Sequence, residues 1–139
     1  MEYRRFKDDI IVRIDKGEEI IEKMLEVCKK ENVKLANVNA LGATNNFEVG
    51  LFHTDKKEYE ANVHTGDFEI VSFTGSITQK EGNLYHHIHM SAADGNNNVV
   101  GGHLNKAIVS ATCEMFIHVI DGKVNRKFSE EIGLNLFEF

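Results

Sequence analysis

In three stretches between residues 46 and 70 apolar side chains fall on every second position: Phe47, Val49 and Leu51, then Tyr59, Ala61 and Val63, then Phe68 and Ile70. A repeat of two puts one face of an extended chain toward a core, and a helix cannot use it. Only one stretch keeps the other rhythm. In "DKGEEIIEKMLEVCKKEN", residues 15–32, the apolar residues Ile20, Ile21, Met24, Leu25, Val27 and Cys28 step by three and four and form one stripe. Asp15 is the predicted N-cap, and Glu18 three residues on completes a capping box. Glu18 and Glu19 stand at the positive end of the helix dipole, and Lys29 and Lys30 at the negative end. Many strands and one one-sided helix predict an α+β fold, a mostly antiparallel sheet packed by one principal amphipathic helix.

Proline is absent, so boundaries are marked by glycine, asparagine and aspartate. Predicted strands cover 10–14, 33–43 (ending at a glycine), 46–53, 57–64, 68–80 and 83–93. A turn at "DGNNN" (94–98) is followed by a return along "NVVGGHL" (98–104). In 68–80, Phe68, Ile70, Ser72 and Thr74 share one face, and Glu69, Val71 and Phe73 the other. "AIVSATCEMFIHVI" (107–120) is long and apolar and is expected to be central. "DG" at 121–122 reads as a tight hairpin turn, and "KVNRKF" and "GLNLFEF" close the chain. With 139 residues and no linker or repeat, the expectation is a single domain over 1–139.

Composition narrows the function classes. The net charge is −6 with histidine neutral, whereas a domain gripping nucleic acid by its phosphates usually carries a basic surface. The basic clusters "YRRFK", "KK" at 29–30 and 56–57, and "KVNRK" at 123–127 read as solvated edges. No apolar run approaches the roughly 20 residues of a membrane span, and the first residues lack a signal-peptide core. The expected address is the cytoplasm. That suits Cys28 and Cys113, which lie in apolar patterns and read as reduced core thiols. There is no phosphate-binding loop, no G-x-S-x-G elbow and no C-x-x-C pair.

Four of the seven histidines fall within "YHHIHMSAADGNNNVVGGHL". On a strand, His87 and His89 share a face about 6.6 Å apart at Cα, and His86 points the other way. Thirteen residues separate His89 from His103, enough for a turn and a return beside the pair. Gly101 and Gly102 permit close backbone approach there. Three neutral imidazoles suit zinc, and also copper, iron or nickel, and zinc held by three histidines keeps one position open. The alternative is polar residues at a surface or subunit seam. His53, His64 and His118 stand alone in other strands. Glu114 interrupts an apolar run: it is either an outer hydrogen-bond partner to a ligand imidazole, a base for metal-bound water, or a carboxylate held by an internal hydrogen bond or a subunit-interface contact. Glu69 is expected to face solvent.

"GDFEIVSFTGSI", "HHIHMSAADGNNNVVGGHL" and "IVSATCEMFI" resemble, in order and spacing, the plants-and-prokaryotes conserved (PPC) domain family, which in plants accompanies AT-hook DNA-binding segments. The resemblance covers nearly the whole chain. It implies a largely antiparallel sheet packed by a helix, assembled as a homotrimer, with a bound metal, usually zinc, in prokaryotic members. Carried over, His87 and His89 match the H-x-H motif and His103 the G-G-H-L motif. Gly66, Phe68 and Glu69 match G-x-F-E-I, and Glu114 the glutamate of the later strand. The sequence contains no R-G-R-P, the core of an AT-hook, so the DNA-binding role of the family transfers poorly.

Three readings follow. The first is a trimeric zinc-binding module that recognises a small anion or a protein partner. The second is a metal-dependent enzyme acting on a small molecule through zinc-bound water, with Glu114 as base. The third, ranked last on charge, is a DNA-binding protein.

Overall fold

The computed structural model describes residues 1–139. In chain order it contains β1 (Glu2–Phe6), β2 (Asp9–Asp15), α1 (Ile20–Lys30), β3 (Ala36–His53), β4 (Glu58–Lys80), β5 (Asn83–Ala93), β6 (Val99–Val119), β7 (Asn125–Ser129) and β8 (Leu134–Glu138). All strand pairs are antiparallel except β4–β7. Strand β3 pairs with β4 and β6, and β5 pairs with the same two, so the four long strands close on themselves. The apolar run of β6 is central as expected, bonded to β2, β3 and β5.

Segments that read as separate strands are continuous. Residues 36–53 form one strand because bulges between Asn39 and Gly42, and between Thr44 and Asn46, absorb the breaks in alternation. Gly42 does not end the strand. Its φ is 155°, and a Cβ there would run into the Thr112 carbonyl across the ladder. A further bulge lies between Ile70 and Ser72. It shifts the alternation by one, so Ile70 and Phe73 both enter the core while Ser72 and Thr74 are exposed. The predicted two-face division of this segment is thereby corrected beyond Ile70.

Helix α1 lays Ile20, Ile21, Met24, Val27 and Cys28 into a core shared with Ile10, Val12 and Ile14 of β2 and Cys113, Met115 and Ile117 of β6. Truncating Met24 there costs about 2–5 kcal/mol. The N-cap is Glu19, whose carboxylate accepts from Glu22 N–H, and not Asp15. Asp15 is engaged elsewhere: its Oδ1 accepts from Arg13 Nε at 2.8 Å, and its own N–H donates to Glu18 Oε2 at 2.9 Å.

Outside the long strands, one strand went unassigned and one expectation fails. Residues 2–6 form an edge strand that the basic composition concealed. "DG" at 121–122 makes no hairpin back onto β6, because Asp9–His118 and Ala36–Val119 pairings already occupy both edges of β6 at that end. The chain instead crosses to β4, which β7 meets in parallel through Gln79 and Asn125, and β8 returns on β7.

Candidate metal centre

The histidine cluster is built by register. Pairing β4 with β5 sets Thr78 opposite Tyr85, Ser76 opposite His87 and Thr74 opposite His89. Tyr85, His87 and His89 therefore project from one face of β5, and Ile88 and Met90 are buried on the other. Across β5–β6, His89 is the Cα partner of His103, and His103 is also the partner of Gly50 on β3. Glycine is required here for space: a Cβ on Gly102 would stand 2.6 Å from the Gly50 carbonyl oxygen, and one on Gly101 would stand 2.6 Å from that of Met90. The ring centroids of His87 and His89 are 5.0 Å apart, those of His87 and His103 5.1 Å, and those of His89 and His103 5.7 Å.

One nitrogen from each of the three rings can be chosen so that all lie within 4.8 Å of one another. Zinc at about 2.0–2.1 Å from each ligand wants its nitrogens roughly 3.3 Å apart. Small side-chain rotations cover the difference, so the donor set fits a transition metal. The protonation state fits as well. Burial first, then the neighbouring His103, His89 and Arg126, push His87 down to about 4. Burial, with His89 and His86 nearby, lowers His103 too. Both rings are neutral near pH 7 and keep a lone pair for a cation.

The family model of the Plants and Prokaryotes Conserved (PCC) domain matches residues 1–121. The chain belongs to this family. The fold and the three-histidine cluster described above are thus those of a PCC domain chain. Its structure is similar to that of a metal-containing protein from Archaeoglobus fulgidus, with 30% identity, TM-score 0.88, and coverage of 99% of this chain and 97% of the other. A PPC protein from Pyrococcus horikoshii matches at 30% identity and TM-score 0.86 over 99% and 94% of the two chains. A Bacteroides thetaiotaomicron protein proposed to bind DNA shares the fold, with TM-score 0.96 at 24% identity over 99% and 96%. No curated protein matches.

In this PCC domain chain, Glu114 does not join the histidines. It is exposed, paired in register with Arg13 and Leu41, and lies eleven residues beyond His103, roughly 35 Å of strand. The apolar run around it is buried on alternate positions only, and Glu114 takes the solvent phase. Glu69 is exposed too, as expected. Phe68 meets Phe47 edge-on at 5.1 Å between centroids. His64 stacks on Phe47, His53 lies 3.4 Å from Glu60, and His118 Nδ1 lies 2.9 Å from Asp9. Cys28 and Cys113 are free and buried, and burial pushes both thiols up to about 12, which makes them inert.

Sequence reasoning missed the other wall. A cavity of about 920 Å³ opens beside the three imidazoles, and its far side comes from β7 and β8: Arg126, Leu134, Asn135, Leu136 and Phe137. Tyr59 of β4 stands over His103, at 6.1 Å and nearly perpendicular, with its hydroxyl 2.8 Å from Asn105 Oδ1. "KVNRK" read as a solvated edge, yet Arg126 within it is 8% exposed. The signal available was Arg126 alternating with flanking residues in a short strand, but nothing local said which strand that would join.

Proposed function

We propose that this chain is a single α+β PCC domain over 1–139 that binds zinc through His87, His89 and His103 and acts as a binding module. Its ligand is a small anion or a protein partner, it assembles as a homotrimer, and it works in the cytoplasm. The observation that carries the reading is the convergence of three imidazoles, one nitrogen from each lying within 4.8 Å of the others. The description of the Archaeoglobus relative as metal-containing supports it. Leu41 and Phe116, large apolar residues left exposed on one outer face of β3 and β6, support a subunit contact. No helix is long and apolar enough to cross a membrane.

Metal analysis of the purified protein, with the His87→Ala variant as control, tests the reading. Stoichiometric zinc in the parent and its loss in the variant is the expected result. A folded parent that takes up no transition metal ends it.

A second reading, a metal-dependent enzyme, is favoured by the cavity that faces the cluster and by the absence of a fourth protein ligand in it. Zinc there would supply Lewis-acid activation of water. The cavity offers no carboxylate base, and that ranks catalysis behind binding. The DNA role proposed for the Bacteroides relative is the third reading. The net charge of −6 and the burial of Arg126, which removes it from any basic surface, count against it here.

A further inference from the structure

Arg126 is a buried cation with no counter-ion. Its Nε donates to Thr78 Oγ1 at 2.9 Å, one Nη to the Asn135 carbonyl at 2.9 Å, and the other to Ser76 Oγ at 3.4 Å. Every one of these acceptors is neutral, and no carboxylate forms an ion pair with the guanidinium. The rings of Tyr85 and Phe137 cover its two faces, with the guanidinium carbon 4.6 and 4.5 Å from their centroids. Of its five N–H groups three are used in these bonds, which leaves two, and Arg126 lines the cavity. Unused guanidinium N–H groups receive a carboxylate in the plane of the guanidinium.

The surroundings deepen the demand. No aspartate or glutamate lines the cavity. Glu48, whose Oε1 accepts from Asn105 Nδ2 at 3.0 Å, does not line the cavity. With a divalent ion on the three histidines, the pocket would gather two further positive charges beside Arg126 and nothing to balance them. A buried charge without a partner is costly. On the same wall, Asn135 Oδ1 is buried and accepts no hydrogen bond. Leu134, Leu136 and Phe137 make the remainder of that wall apolar.

We propose that Arg126 is the anion-recognising group of this cavity, and that the cavity holds a small organic acid. The carboxylate sits between Arg126 and the histidine cluster, and an apolar body lies against Leu134, Leu136 and Phe137. The second positive centre rests on the metal reading above; the Arg126 contact does not.

Calorimetric titration of 3-phenyllactate into the full chain tests this, in zinc-loaded and metal-stripped preparations whose metal content is measured. The neutral 3-phenyllactamide is the control. The acid is expected to bind both preparations, more tightly with zinc, and the amide at least tenfold more weakly. Arg126→Gln, which keeps the bulk and removes the charge, is expected to weaken the acid at least tenfold. Asn135→Asp places a fixed anion in the cavity. It is expected to stay folded by thermal melt and to lose the acid, which keeps the test decisive if Arg126→Gln fails to fold. Equal binding of acid and amide, unchanged binding in either variant, or no binding of the acid at millimolar concentration overturns the proposal. A chain that takes no zinc yet binds the acid through Arg126 removes the metal reading alone. Zinc uptake with binding indifferent to Arg126 removes this inference alone.

Discussion

His89 and His103 are direct partners across the β5–β6 ladder, their ring centroids 5.7 Å apart, although thirteen residues of chain lie between them. Antiparallel pairing holds opposed side chains on one face at close range. The third ring, His87, joins because it is two residues from His89 on the same strand. The cluster is thus fixed by backbone hydrogen bonds before any ion arrives.

Replacing any one of His87, His89 or His103 by alanine is expected to reduce zinc affinity at least a hundredfold. Loss of an outer hydrogen-bond partner of a metal ligand already costs about 10–100-fold. Competition against a chromogenic chelator measures it. A single variant with the parent's affinity would show that its ring is not a ligand.

Gly102→Ala tests the register. The added methyl would lie 2.6 Å from the Gly50 carbonyl oxygen, so β3 and β6 must part where His103 is held. A loss of about 1–3 kcal/mol in urea unfolding is expected, together with weaker zinc binding. Parent-like values for both would mean that the strands adjust without cost.

Metal-free protein should lose stability as the pH falls from about 6.5 to about 4. Burial and the neighbouring His103, His89 and Arg126 hold His87 down at about 4 in the folded chain, against 6.5 ordinarily. In that window the unfolded chain takes up a proton that the folded chain refuses, so unfolding gains as the pH drops, and the effect levels off below the window. His103 and His86, also lowered by burial, act in the same direction. Thermal melts between pH 3.5 and 7.5 read the slope, and His87→Asn should flatten part of it.

Glu114→Gln is expected to leave zinc affinity unchanged and stability within about 0.5 kcal/mol, as for an exposed residue away from special contacts. Chelator competition and denaturant melts check both. A drop in zinc affinity would bring Glu114 back toward the site, by contact with a second copy of the chain.

Duplex DNA at near-physiological ionic strength is expected to give no salt-sensitive mobility shift. An acidic surface gains little from counter-ion release. A shift that weakens steeply with added salt would contradict this and restore the DNA reading.

Much of the site was legible in the residues because its geometry is local. The H-x-H spacing alone aligns His87 with His89 and turns His86 away. The wide turn at 94–98 and the glycines at 101 and 102 announce a return close to the pair. Glu114 stayed open in the sequence for a physical reason: in an apolar run, one interposed carboxylate fits either face, and only the partner strands β2 and β3 decide which phase is solvent. Phe73 was misplaced because a bulge adds one residue to one strand of a pair and leaves no mark in a single sequence.

The sequence by itself determined the period of each segment, the apolar face of α1 and the strand character of β2 to β6, because side-chain direction follows from backbone geometry a few residues long. Only the tertiary structure decided which strand lies beside which. It set β7 next to β4 rather than β6, and so brought Arg126 from a segment that reads as a charged edge into a buried position facing the histidines. Strand pairing is a choice among backbone donors and acceptors that are alike along the chain. It is settled by the closing of the whole sheet and the burial that follows, which no short stretch contains.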